Sequence, residues 1–256
     1  MDDIKIIVPP AGKTPRWCIS APWLKLCLKY GLEGPWGPAN VNRSFAFDRY
    51  ALSRGPRNGP PTVADLAVTL LMNSGVTGDD IALASEWLER KEIAQRIDAV
   101  SDFLNSCQGL QNASPQALAE LGELLKEADS IQGIGTAKAA KWFSAWAPAH
   151  VPMIDQYVMD ALIGRYERNC PWVECLDKFR NILLDHFDSL NLLGRELSSV
   201  GHLSAEITPV RILDSLLWFD WWAVSTGDFA HWITTDQSPE GFLLTDRGRA
   251  FCEAMR

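Results

Sequence analysis

Between Thr62 and Arg165 apolar residues recur every three or four positions, and each such run carries its own start and stop signals. A chain punctuated in this way can stack helices and do little else. "TVADLAVTLLMNSG" opens at Thr62, a capping residue with Asp65 in the reciprocal position, and stops at Gly75. "GDDIALASEWLERKEIAQRIDAVSDFLNSC" is long enough for two helices. In "SPQALAELGELLKEADSI", Ser114 caps and Pro115 takes the first helical position, where its missing amide does no harm. Two further helices follow, one over Thr136 to Trp146 and one beginning at or near Asp155. Five or six helices with little strand signal predict an all-α fold.

The flanks read less clearly. "EGPWGPANVNR" and "SRGPRNGPP" stack Gly, Pro and Asn, and between the N-terminus and Thr62 only "APWLKLCLKYGL", ending at Gly31, has helical spacing. "NRSFAFDRY" interleaves Arg43 and Arg49 with Phe45, Phe47 and Tyr50; it reads as a loop that either contacts nucleic acid or buries its rings. Minor strand content near the N-terminus fits the same region. Beyond Arg165, "NCPWVECLDKFRNILLDHF" and "TPVRILDSLLWFDWWAV" are helical, the second starting at Pro209. Trp218, Trp221 and Trp222 share a face there, as core or interface residues do.

Composition excludes several classes of function. No apolar run approaches the roughly 18 to 20 residues of a membrane span, so no membrane partner is expected. "MDDIKIIVPP" begins with two acids, unlike a secretory leader, and a cytoplasmic location is the expectation. The six cysteines are scattered, with only Cys170 and Cys175 close together, and the four histidines form no ligand pair. Neither metal nor cofactor is therefore expected. A net charge of -8 opposes nonspecific binding to polyanions, yet residues 1–60 hold nine basic side chains against four acidic ones. A basic end folded beside a site would still admit a nucleic acid.

One stretch carries chemistry. In "SIQGIGTAKAAKWFSAWAPAHVPMIDQYVMDAL", Gly133, Ile134 and Gly135 form a tight turn ahead of a helix, and Asp155 follows 22 positions after Gly133. Two glycines let the backbone turn sharply and approach a ligand, while Ile134 can plug the core. The first amides of the next helix, from Thr136 on, suit a phosphate oxygen, with Lys138 and Lys141 within a turn of them. Such a grip holds a strand without reading its bases. The plainer reading is a helix stop and restart, with Asp155 as an ordinary N-cap. Both readings of Asp155 can hold together, since a capping position also exposes the side chain.

The pattern resembles the helix-hairpin-helix and Gly/Pro-Asp motif of the endonuclease III and adenine-glycosylase superfamily of DNA glycosylases. There a "PGVG"-type turn precedes an apolar helix and a "PVDTHV"-like segment with the catalytic aspartate. Here the matching residues are "QGIG" (132–135) and "VPMIDQYV" (151–158), with Asp155 at the aspartate position. More weakly, "AVTLLMNSGVTGDD" resembles the "LLSAQATD"-like helix and loop that fills the gap left by a flipped base, which points to Met72, Asn73 or Ser74. Three departures stand out. Ala137 occupies the place of the Schiff-base lysine of bifunctional members, with Lys138 rotated about 100 degrees away on the helix. The four-cysteine iron-sulfur loop is missing, and Gln132 replaces the proline before the turn.

The resemblance implies a helical domain over residues 62–165 and a second lobe built from 1–61 and 166–256. It implies a monofunctional, monomeric glycosylase without cofactor that extrudes a modified base from double-stranded DNA. Asp155 would stabilise the cationic sugar and orient water. Phe45, Tyr50, Trp142, Tyr157 and Trp36 are the aromatics that could stack on the base, whose identity is not readable. Divergence from housekeeping patterns points toward modified bases of viral genomes and a role in defence. The alternative is a noncatalytic helix-hairpin-helix module that binds nucleic acid; a protein-interaction unit with a purely structural glycine turn is the third reading.

Overall fold

The structure is a computed structural model that describes residues 6–7, 18–19, 38–72, 74–165, 167–200 and 205–225. The expected helix ending at Gly31, together with Trp36 and Asn73, lies outside the described residues, as do the side chains of Phe45, Trp218, Trp221 and Trp222.

The fold is all-α. Nine helices are present among the described residues: α1 (Pro38–Ser53), α2 (Val63–Ala67), α3 (Gly78–Leu88), α4 (Lys91–Ser106), α5 (Pro115–Asp129), α6 (Gly135–Trp146), α7 (Gln156–Ile163), α8 (Trp172–Val200) and α9 (Pro209–Ser225). Two-residue strands, Ile6–Ile7 and Cys18–Ile19, pair antiparallel near the N-terminus.

Local capping sets most of the boundaries. Thr62 Oγ1 accepts the Asp65 amide at 3.3 Å while Asp65 Oδ2 accepts the Thr62 amide at 2.7 Å, so two orphan donors of α2 are satisfied reciprocally. Thr77 and Asp80 repeat the device at α3, with distances of 3.2 and 2.8 Å. Ser114 Oγ accepts the Ala117 amide at the start of α5, where Pro115 opens the helix.

Two segments depart from the sequence reading. The helix expected from Thr62 to Gly75 stays α-helical only to Ala67 and tightens into a 3-10 turn over Val68–Met72. Thr69 is the local cause, because its hydroxyl donates to the Leu66 carbonyl at 2.7 Å and competes with the regular ladder. "NRSFAFDRY", read as a loop, lies inside α1. Phe47 and Ala51, four apart on one face, are buried against Ala145 and Met153, and that burial outweighs the turn-forming residues around them.

Helix α6 runs through the centre. Ala139, Ala140 and every residue from Trp142 to Trp146 are buried. Trp142 packs edge-on against Trp87 at a ring-centroid distance of 5.8 Å, and Phe143 meets Trp146 edge-on at the same distance. Around this centre a single cluster of buried residues extends from Leu66 to Leu217. It includes α8 against α5, and α9 against α7 and α8. Trp142 is thereby removed from the candidate base-stacking residues. Its ring is fully buried and its indole N–H donates to the Thr62 carbonyl at 2.8 Å. No helix among the described residues is long and apolar enough to cross a membrane.

Candidate active site

The turn between α5 and α6 brings together the features singled out in the sequence. Gly133 and Gly135 adopt left-handed backbone angles, with φ of +86° and +61°. Between them the Ile134 side chain is buried and its amide donates to the Ile131 carbonyl at 3.0 Å, so the Ile134 side chain anchors the turn in the core. The first amides of α6, at Gly135, Thr136 and Ala137, have no carbonyl one turn earlier in the helix to bond.

The two lysines assigned to phosphate contact both have partners within the fold, and Lys138 also lines the cleft described below. Lys138 Nζ pairs with Asp80 Oδ2 at 2.7 Å and donates to the Gly133 carbonyl at 2.9 Å. It braces the turn, joining the Gly133 carbonyl to the Asp80 carboxylate through charge-assisted hydrogen bonds. Lys141 Nζ donates to the Met72 carbonyl at 3.1 Å. Burial, followed by the field of Arg211, pushes its pKa down, while Asp155 and Asp214 act in the opposite sense. Lys141 is therefore an interior neighbour of Asp155.

Asp155 is the N-cap of α7. Its Oδ1 accepts the amides of Tyr157 at 2.9 Å and Val158 at 3.0 Å, and Oδ2 accepts no hydrogen bond from the described residues. The side chain is half-buried. Desolvation raises its pKa above the usual carboxylate value, and the two amides and Lys141 only partly offset this. Asp155 lines a cleft of about 700 Å³ whose wall also includes Gly133 to Lys138, Ser74, Gln156 and Tyr157. Turn and carboxylate thus face one space.

The remaining candidates divide. Ser74 and Tyr157 reach the cleft; Ser74 Oγ is 2.6 Å from Thr69 Oγ1. Thr136 lies in the wall, and its hydroxyl donates to Asp129 Oδ2 at 2.8 Å. Met72 is partly buried and packs its apolar side chain on the Phe47 cluster, outside the cleft. Tyr50 lies outside the cleft too, its hydroxyl donating to Asp65 Oδ1 at 2.9 Å in a network with Arg54.

Sequence reasoning missed Asp129, Arg168 and Asn169, which all line the cleft. Asp129 ends α5, and burial raises its pKa against donation from Thr136 and from the Trp172 indole at 3.2 Å. Also missed was a buried ionic cluster in which Arg211 pairs with Asp214 at 2.7 Å and with Asp48 at 3.0 Å. Opposite charges three apart within the apolar run "RILDSLL" were the available signal. Among the described residues no group of three or more His, Cys, Asp or Glu is arranged to hold a metal ion.

No curated protein and no solved structure matches the chain. A family profile described as a family of unknown function (DUF6308) matches residues 41–220, most of the length, and the chain belongs to that family.

Proposed function

We propose that the protein is a monofunctional DNA glycosylase that hydrolyses the N-glycosidic bond of a modified base in double-stranded DNA and leaves an abasic site. The observation that carries this reading is the shared cleft, where the Gly133 to Thr136 backbone and the Asp155 carboxylate line one wall. Amides at the start of α6 would hold a phosphate oxygen, and exposed Arg168 on the same cleft adds a cation. A strand held there would present an extruded nucleotide to Asp155.

The chemistry needs only this carboxylate and water. As the bond breaks, its electron pair leaves with the base and positive charge builds at the anomeric carbon. Oδ1 is held by two amides, so Oδ2 is the oxygen left to stabilise that charge and take a proton from the attacking water. A carboxylate with a raised pKa is the stronger base for that transfer. With Ala137 in place of the amine nucleophile, no strand cleavage accompanies base release.

Incubation with genomic DNA from modified-base phages and with damaged host DNA, followed by mass spectrometry of released bases, tests the reading. A released base supports it; silence across the panel counts against it. A noncatalytic nucleic-acid-binding module is the second reading. It is favoured by the N-cap bonds of Asp155, which give this side chain a structural task of its own. Duplex binding without release of any base would select it.

A further inference from the structure

We propose that Asp214, on α9, is a positioning residue for Asp155: its carboxylate holds the backbone turn from which the Asp155 side chain is aimed into the cleft. The proposal rests on the reading of Asp155 as the reacting carboxylate. It extends the site to a helix that the glycine-turn motif does not contain.

The turn from Val151 to Ile154 is buried throughout and has no regular structure, so its backbone donors need specific partners. Val151 N–H donates to Ala147 and Ile154 N–H to Pro152, each at 3.0 Å, and Pro152 has no donor. The Met153 amide is served from elsewhere: Asp214 Oδ2 accepts it at 3.1 Å, from 61 residues along the chain. Met153 lies two residues before Asp155, too few for a backbone displacement to be absorbed in between.

Asp214 is itself held firmly. Arg211 Nη1 donates to its Oδ1 at 2.7 Å and to Ser215 Oγ at 2.9 Å, while Arg211 Nε donates to Asp48 Oδ1 at 3.0 Å. Asp214 is also within the electrostatic reach of Lys141 on α6. The groups around it are thus Arg211 and Ser215 on its own helix, Asp48 on α1, Lys141 on α6 and the Met153 amide. Buried ion pairs of this kind are often replaced by apolar residues without loss of stability. Stability alone gives weak reason for charges here, whereas a fixed acceptor for Met153 gives a specific one.

Two double variants, each made together with Asp48→Asn so that loss of Arg211 leaves no buried carboxylate without its partner, separate the roles. Arg211→Gln with Asp214→Asn removes both charges but keeps an oxygen for the Met153 amide, since the Gln can accept from the Asn side-chain amide. Arg211→Met with Asp214→Leu fills the same space and removes the acceptor. Asp155 is followed by the pH titration of its side-chain carboxyl carbon in NMR spectra, and Met153 by amide hydrogen exchange. The expected result is a wild-type Asp155 midpoint in the Gln/Asn protein. In the Met/Leu protein the midpoint falls toward the ordinary carboxylate range, and Met153 exchanges about tenfold faster, the size of one lost hydrogen bond. Identical Asp155 midpoints in the two folded variants would overturn the proposal. A contrast between them, with no base released from any DNA, supports the positioning and sinks the glycosylase reading alone.

Discussion

Lys138 Nζ lies 2.7 Å from Asp80 Oδ2, and the same ammonium donates to the carbonyl of Gly133. The pair joins the start of α3 to the turn ahead of α6. Asp80 also caps α3, so Asp80→Ala removes two supports at once. The expected loss is about 2–4 kcal/mol in urea unfolding, larger than for Lys138→Met, which leaves the cap intact.

The two glycines of the turn are not equivalent. A Cβ at Gly133 would stand 2.2 Å from Asp80 Oδ1, whereas a Cβ at Gly135 meets nothing within 4 Å. Gly135→Ala carries only the left-handed backbone penalty of about 1–2 kcal/mol. Gly133→Ala adds displacement of the Asp80 brace and is the more destabilising in thermal melts. Equal melting temperatures would contradict this geometry.

Capping and chemistry at Asp155 come apart by substitution. Asparagine caps helices as well as aspartate does, so Asp155→Asn leaves stability within about 0.5 kcal/mol, while Asp155→Ala loses about 1 kcal/mol. Chemical denaturation of the three proteins checks the order.

His150 sets an acid limit on the fold. It is buried, its Nε2–H donates to the Cys107 carbonyl at 3.3 Å, and burial lowers its pKa to about 4. Above the unfolded value of about 6.5 both states are neutral and its contribution to stability is fully present. As pH falls from there through about 4, the unfolded chain takes up a proton that the folded one refuses, and about 3 kcal/mol is lost. His150→Gln flattens this limb of the stability-pH curve; an unchanged slope would exclude His150 as its source.

What was legible in the sequence was what is local in the chain. Thr62 with Asp65, Ser114 with Pro115, and Asp155 at the head of α7 all act within a few residues, so spacing alone identifies them. The glycine turn was equally visible, because only positive φ requires that residue there. The partners across the fold were not. Lys138 finds Asp80 from 58 residues away, and the Trp142 indole finds Thr62 from 80. Helical spacing gave Trp142 and Lys141 a surface or a cleft to face, but α6 is wrapped on nearly every side, and its central position is a property of the assembled bundle. Asp214 shows the same limit, since nothing near it in the chain indicates that it accepts the Met153 amide.

The most direct test of the central claim is base release by wild-type protein and by Asp155→Asn, measured side by side on the same modified DNA with duplex affinity determined in parallel. The wild type is expected to release a base and leave an alkali-labile site, and the variant to lose both at unchanged affinity. A fully active Asp155→Asn protein would contradict that claim.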